Sequence, residues 1–202
     1  MENLPSLLEN AIDSSDVVWR EIEHCPVTEE IPLVKQFVKI WRGVNDIRTR
    51  ILAAKLRGFV CDPSLQSPEM REKMRERVES DEGKKIGQTL FMVLERLTDL
   101  NKPLWLAKLF AGYLLGELTA SELRRLASAV DLAFGDDLIA LLVAREPVLS
   151  SQPEPWKQYL AQSGLTELSQ VTAIGGQRYH EVTSLGMLLR KVVRTHSGGD
   201  AR

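Results

Sequence analysis

Apolar residues recur at three- and four-residue steps along most of this chain, the spacing that gathers side chains on one face of an α-helix. The clearest run lies between Lys85 and Val143. Ile86, Leu90, Val93, Leu94, Leu97 and Leu100 predict one stripe. Leu106, Leu109, Phe110, Tyr113 and Leu114 predict the next, about 100° wide. Between them Asn101 offers a capping oxygen, and Pro103 fits a first helical turn, where its missing N–H breaks no bond. Gly116 marks a stop. Thr119-Ala120-Ser121-Glu122 predicts a capping box, in which the Thr119 hydroxyl accepts from the Glu122 N–H and the Glu122 carboxylate accepts from the Thr119 N–H. The helix it opens turns Leu123, Leu126, Ala127 and Val130 inward. Gly135-Asp136 interrupts it, and Asp136 or Asp137 is expected to cap a short apolar helix from Leu138 to Val143, with Pro147 closing the series.

The flanks carry weaker patterns. Leu4, Leu7, Leu8, Ala11 and Ile12, then Val17, Val18 and Ile22, predict two short helices ahead of Pro26. From Glu29 one long helix is expected, with Val34, Phe37, Val38, Trp41, Val44, Ile47, Ile51, Leu52, Leu56 and Phe59 inside. Lys35, Lys39, Arg42, Arg48, Arg50, Lys55 and Arg57 then fall on its solvated face. Ser67-Pro68-Glu69 opens a highly charged surface helix with a thin apolar edge of Met70, Met74 and Val78. Ser150 to Pro155 reads as a linker. Beyond it a short helix carries Trp156, Tyr159 and Leu160, with Gly164 at a left-handed C-cap and Leu165 making the accompanying apolar contact. The period then changes, and Leu168 to Val171 and Arg178 to Val182 predict two strands around Gly175-Gly176. Thr183 caps a last helix, expected to turn Leu185, Leu188, Leu189, Val192 and Val193 inward and Arg190, Lys191 and Arg194 outward.

The fold class that follows is mainly α, a multi-helix bundle with a small β-hairpin near the C-terminus. Three segments are expected: an N-terminal helical segment (1–28), a helical core (29–148), and a C-terminal module packed on it (154–195), whose helices begin near 120.

Composition narrows the classes without choosing among them. A hydrophobic share of 44% is ordinary for a globular chain, and 27% charged residues argue against an integral membrane protein. The net charge of -2 gives no global attraction to nucleic acid. The most apolar windows, Leu104 to Leu118 and Leu138 to Val143, are too short or carry a charge, so no transmembrane segment is expected. The N-terminal residues lack a basic stretch before an apolar run, which leads to an expectation of a cytoplasmic protein. Cys25 and Cys61 are too few for a disulfide framework or a zinc set, and reduced thiols are expected.

Chemistry-bearing clusters are scarce. His24, His180 and His196 stand apart from each other and at no metal-ligand spacing. Gly83-Lys84-Lys85 lacks the preceding glycine and following Ser or Thr of a phosphate loop. Asp131, Asp136 and Asp137 straddle a helix break, where capping explains them better than acid–base work. The reading is therefore no catalytic residue, no cofactor and no metal. The candidate partner-binding residues are Arg178, Arg190, Lys191 and Arg194, a local positive surface on a slightly negative chain.

Gly164-Leu165, the glycine-containing hairpin and Tyr179-His180-Glu181-Val182-Thr183-Ser184-Leu185-Gly186 together resemble the end of a winged-helix module. That resemblance covers roughly residues 120–195 and implies a wing at the hairpin, with Thr183 to Gly186 opening the next helix. The helix that would read DNA, Trp156 to Gln162, carries Lys157, Gln158 and Gln162. Upstream, Lys85-Lys-Ile-Gly through Lys102-Pro-Leu-Trp-Leu-Ala-Lys-Leu-Phe-Ala-Gly-Tyr resembles helical proteins of bacteria and prophages, and the combination is similar to the alpha-type abortive-infection family. The resemblance implies a bacterial, prophage-related or antiviral-defence setting. The expected function is a non-enzymatic protein that binds a macromolecule, either a protein partner or a second copy of itself. The alternative is a nucleic-acid-binding regulator using the winged-helix-like end.

Overall fold

Helices hold most of the described residues, and a two-stranded antiparallel hairpin lies near the C-terminus, so the mainly-α expectation stands. The computed structural model describes residues 15–31, 34–35, 38, 46–78, 80–144, 154–169 and 179–197. The apolar run from Leu4 to Ile12, the middle of the helix expected from Glu29, most of the linker, the hairpin turn and Arg178 lie outside these residues. The chain divides into two units, Met1–Ala107 and Lys108–Arg202.

The first unit begins with α1 (Ser15–His24) and a 3-10 turn at Pro26–Glu29. Helix α2 (Ile47–Val60) starts afresh at Asp46, whose extended backbone and side chain cap it by accepting from the Thr49 N–H at 2.7 Å. That bond holds the Asp46 carboxyl below the usual carboxylate range. The expectation of one helix running through Val44 and Ile47 is thereby corrected. The buried face of α2 also differs from the one the periodicity predicts. Ala53, Leu56, Phe59 and Val60 are inside, whereas Ile47 and Ile51 are exposed and Lys55 is buried. Lys55 has a partner that repays its burial: Nζ donates to the Glu95 carbonyl at 2.9 Å, in the last turn of α4 (Asp81–Arg96). Helix α3 (Pro68–Val78) opens where Ser67 Oγ accepts from the Met70 N–H, and it buries Met70 and Met74 as expected. The core of this unit is Trp19, Ile22, Val27, Leu56, Leu65, Met74, Ile86 and Leu94.

Cys25, just past α1, and Cys61, the C-cap of α2, form a disulfide with Cα atoms 5.6 Å apart. The expectation of reduced thiols is corrected here. Helices α1 and α2 pack on each other, and the Arg57–Glu21 ion pair at 2.5 Å spans the same contact. Their packing brings the two helix ends within disulfide range.

Helix α5 (Lys102–Leu114) contains the division between the units and ends at Gly116, whose φ of 81° only glycine adopts at no steric cost. In the second unit α6 (Ala120–Leu132) opens on the predicted box. Thr119 Oγ1 accepts from the Glu122 N–H at 3.2 Å, and Glu122 Oε2 accepts from the Thr119 N–H at 2.8 Å. The Thr119 N–H, then its hydroxyl, hold the Glu122 carboxyl below its ordinary range. Thr119→Ala is expected to destabilise this unit by about 1 kcal/mol near neutral pH. Because the Glu122 pKa is depressed on folding, its contribution is full above its unfolded value and is lost as pH falls through the folded one. The variant's deficit in urea titrations should therefore shrink in acid; a constant deficit would separate the cap from the carboxylate.

Helix α7 (Gly135–Val143) starts after Phe134, which makes no side-chain cap bond. Asp136 and Asp137 lie in its first turn rather than at its cap, a correction to the sequence expectation; there they favour the positive end of the helix dipole. After α8 (Pro155–Tyr159), a 3-10 turn ends at Gly164 in the left-handed conformation, and Leu165 is fully buried. Strands β1 (Thr166–Leu168) and β2 (His180–Val182) pair with Thr166 opposite Val182. Helix α9 (Ser184–Thr195) opens where Thr183 Oγ1 accepts from the Gly186 N–H, as predicted. Leu126, Leu138, Leu141, Leu160, Leu189 and Val192 are buried in this unit.

Candidate interaction surface

The basic face expected on α9 is interrupted at Arg190, which is 4% exposed and so buried rather than turned outward. Arg194 is exposed but committed: Nε donates to the Leu142 carbonyl at 2.9 Å and Nη2 to the Ala144 carbonyl at 3.0 Å. It satisfies the carbonyls at the end of α7, where a cation also meets the negative end of the helix dipole. Lys191 is exposed, and Arg178 lies outside the described residues. Of the four candidates, only Lys191 stands on the described surface without such a structural bond in view.

The DNA-reading element implied by the winged-helix resemblance is also altered by its environment. Helix α8 is five residues long before the 3-10 turn takes over. Lys157, its single cation, is buried, 2.5 Å from Glu154 Oε2 and 5.3 Å from the Trp156 ring centroid. A buried, paired ammonium contacts no phosphate.

A different surface is present in the same unit. Leu132 is 68% exposed, Phe134 67% and Val143 69%, with Ile139 also exposed. All lie at the corner between α6 and α7 or on α7 itself. At about 100° per residue, Asp136, Ile139 and Val143 share an arc of about 60° on α7. Leu132 and Phe134 stand at the corner itself, two large exposed apolar side chains within three residues, and Ile139 and Val143 follow along one side of α7. Burial, and then the neighbouring Asp136, push the Asp137 carboxyl above its ordinary range.

This surface was legible in part. Leu132 falls off the stripe shared by Leu126 and Val130, and Phe134 precedes a helix start where a polar cap is usual. Apolar residues placed off their helix's buried stripe are the signal.

Among the described residues no group of His, Cys, Asp or Glu could hold a metal ion, and no helix is long and apolar enough to cross a membrane. His196 is not isolated: Nε2 lies 3.0 Å from Glu117 Oε2, tying the end of α9 to the turn between α5 and α6. Comparison of the chain with protein-family models, curated proteins and solved structures finds no match.

Proposed function

We propose that this chain acts without catalysis, by binding a protein partner through the α6–α7 corner of its second unit. The observation that carries the reading is the exposure of Leu132 and Phe134 next to the exposed Asp136 in the first turn of α7. The partner it fits is a segment with apolar and basic residues together, an amphipathic helix above all, because such a segment covers the apolar residues and places a cation against Asp136. Nucleic acid is the weaker reading, since the acids repel phosphate and the cations of α8 and α9 are largely engaged in the fold.

The setting is also proposed. A prophage or antiviral-defence role rests on the family resemblance. The cytoplasmic placement now depends on the redox state of Cys25 and Cys61, because disulfides persist mainly in oxidising compartments.

The test uses the full chain and a fluorescent Leu/Lys amphipathic peptide, with a Leu/Glu counterpart and a duplex DNA as comparisons. Anisotropy titrations should show saturable binding of the Leu/Lys peptide, weakened about tenfold by Phe134→Ser, as expected for an aromatic anchor worth more than about 1 kcal/mol. Asp136→Asn should weaken it less and reduce its salt dependence. Equal binding of the Leu/Glu peptide, or no effect of Phe134→Ser, would reject this surface. Tight, steeply salt-dependent DNA binding would favour the nucleic-acid reading instead.

A further inference from the structure

Cys25 and Cys61 are both half-buried, but they differ in what lies beside them. Cys61 lines a cleft of about 510 Å³ within the first unit, and Cys25 is not among the lining residues. Val17, Val18, Ala54 and Leu104 supply apolar wall, and Arg57 and Glu21 supply the polar part. The volume falls within the range of small-molecule sites. The Arg57–Glu21 pair is about half exposed, and a guanidinium has five N–H donors, so Arg57 retains donors for a second carboxylate.

Cys25 follows the C-terminal end of α1, where its N–H donates to the Glu21 carbonyl at 3.1 Å, and Cys61 follows that of α2, where its N–H donates to the Arg57 carbonyl at 2.9 Å. The bond therefore ties the end of α1 to the end of α2.

We propose that Cys61 Sγ is a thiolation site, and that the cleft admits a low-molecular-weight, carboxylate-bearing thiol to it. The incoming thiolate forms a bond to Cys61 Sγ as the Cys25–Cys61 bond breaks. The electron pair leaves on Cys25 Sγ, which takes a proton from water, and the exchange involves no net oxidation. Attack of Cys25 on the mixed disulfide reverses the step and ejects the thiol. While Cys61 is occupied, the end of α1 is released from its covalent tie to α2, so the small-thiol pool would set the fraction of chain with that tie open.

The test treats the oxidised full-length protein with reduced glutathione, quenches with acid and N-ethylmaleimide, and maps adducts by mass spectrometry. Glutathione should be found on Cys61 and maleimide on Cys25 in about tenfold excess over the reverse. A parallel measurement compares Cys25→Ser with Cys61→Ser on exposure to oxidised glutathione. Both variants lack the same cross-link, so any shared loss of stability cancels, and Cys25→Ser should be modified about tenfold faster. Arg57→Gln should slow the reaction with glutathione but not with 2-mercaptoethanol, which lacks a carboxylate. Equal labelling of the two cysteines, preference for Cys25, or no adduct on either would overturn the proposal. An equal effect of Arg57→Gln on both thiols would overturn the assigned thiol class.

Discussion

Reduction of the Cys25–Cys61 bond is expected to lower the thermal midpoint of the first unit by roughly 15–20 °C. The bond closes a loop with a sequence separation of 36. Chain-entropy arithmetic for such a loop gives a stabilisation of about 4 kcal/mol, exerted mostly by restricting the unfolded chain. Native contacts across the same helix pair remain after reduction. Trp19, Ile22 and Leu56 stay available to pack, and the Arg57–Glu21 pair does not depend on the sulfurs. Lowered stability with retained helicity is therefore expected, rather than collapse of the unit. Calorimetry with and without reductant, with thiols counted after alkylation, checks this. The double variant Cys25→Ser, Cys61→Ser should melt with the reduced protein and ignore reductant. An unchanged midpoint in protein shown to be reduced would mean that the loop is already constrained when unfolded.

Local signals in this sequence were legible where the physics is local. The Thr119–Glu122 box, the stop at Gly116, the left-handed Gly164 and the Thr183 cap each need only a few consecutive residues, and all four occur where expected. Properties set by distant partners were not legible. Nothing near Lys55 announces the Glu95 carbonyl that receives its proton donor, and without that partner a buried lysine is a costly reading. Two cysteines cannot be paired by counting, because the 5.6 Å between their Cα atoms depends on how α1 and α2 pack. The candidate surface was missed for a related reason. Spacing alone presents the basic residues of an amphipathic helix as free, whereas Arg194 holds carbonyls at the end of α7 more than 40 residues away in sequence.

Charge reversal on α9 separates the two readings of that helix most sharply. The apolar spacing alone predicts that Arg190→Glu and Lys191→Glu are both harmless, since exposed charges contribute little to stability. The structure predicts a split. A Cβ on Gly186 would lie 2.3 Å from the Leu165 carbonyl oxygen, so this glycine lets the first turn of α9 approach the backbone before β1. Gly186, Leu189, Arg190 and Val193 are consequently buried, while Leu185 and Leu188 are only half-buried. With Val192 also buried, the buried arc is rotated by about 60° from the apolar stripe, toward the glycine and toward Arg190 one turn beyond it. Arg190→Glu places a carboxylate at a position 4% exposed and is expected to cost about 3 kcal/mol or more. Lys191→Glu, on the exposed side, should stay within about 0.5 kcal/mol of the parent. Denaturant titrations of the two single variants decide the matter. Equal, small effects would return Arg190 to the surface and with it the basic patch. A large loss at Arg190 alone would confirm that the glycine, rather than the leucines, sets which face of α9 turns inward.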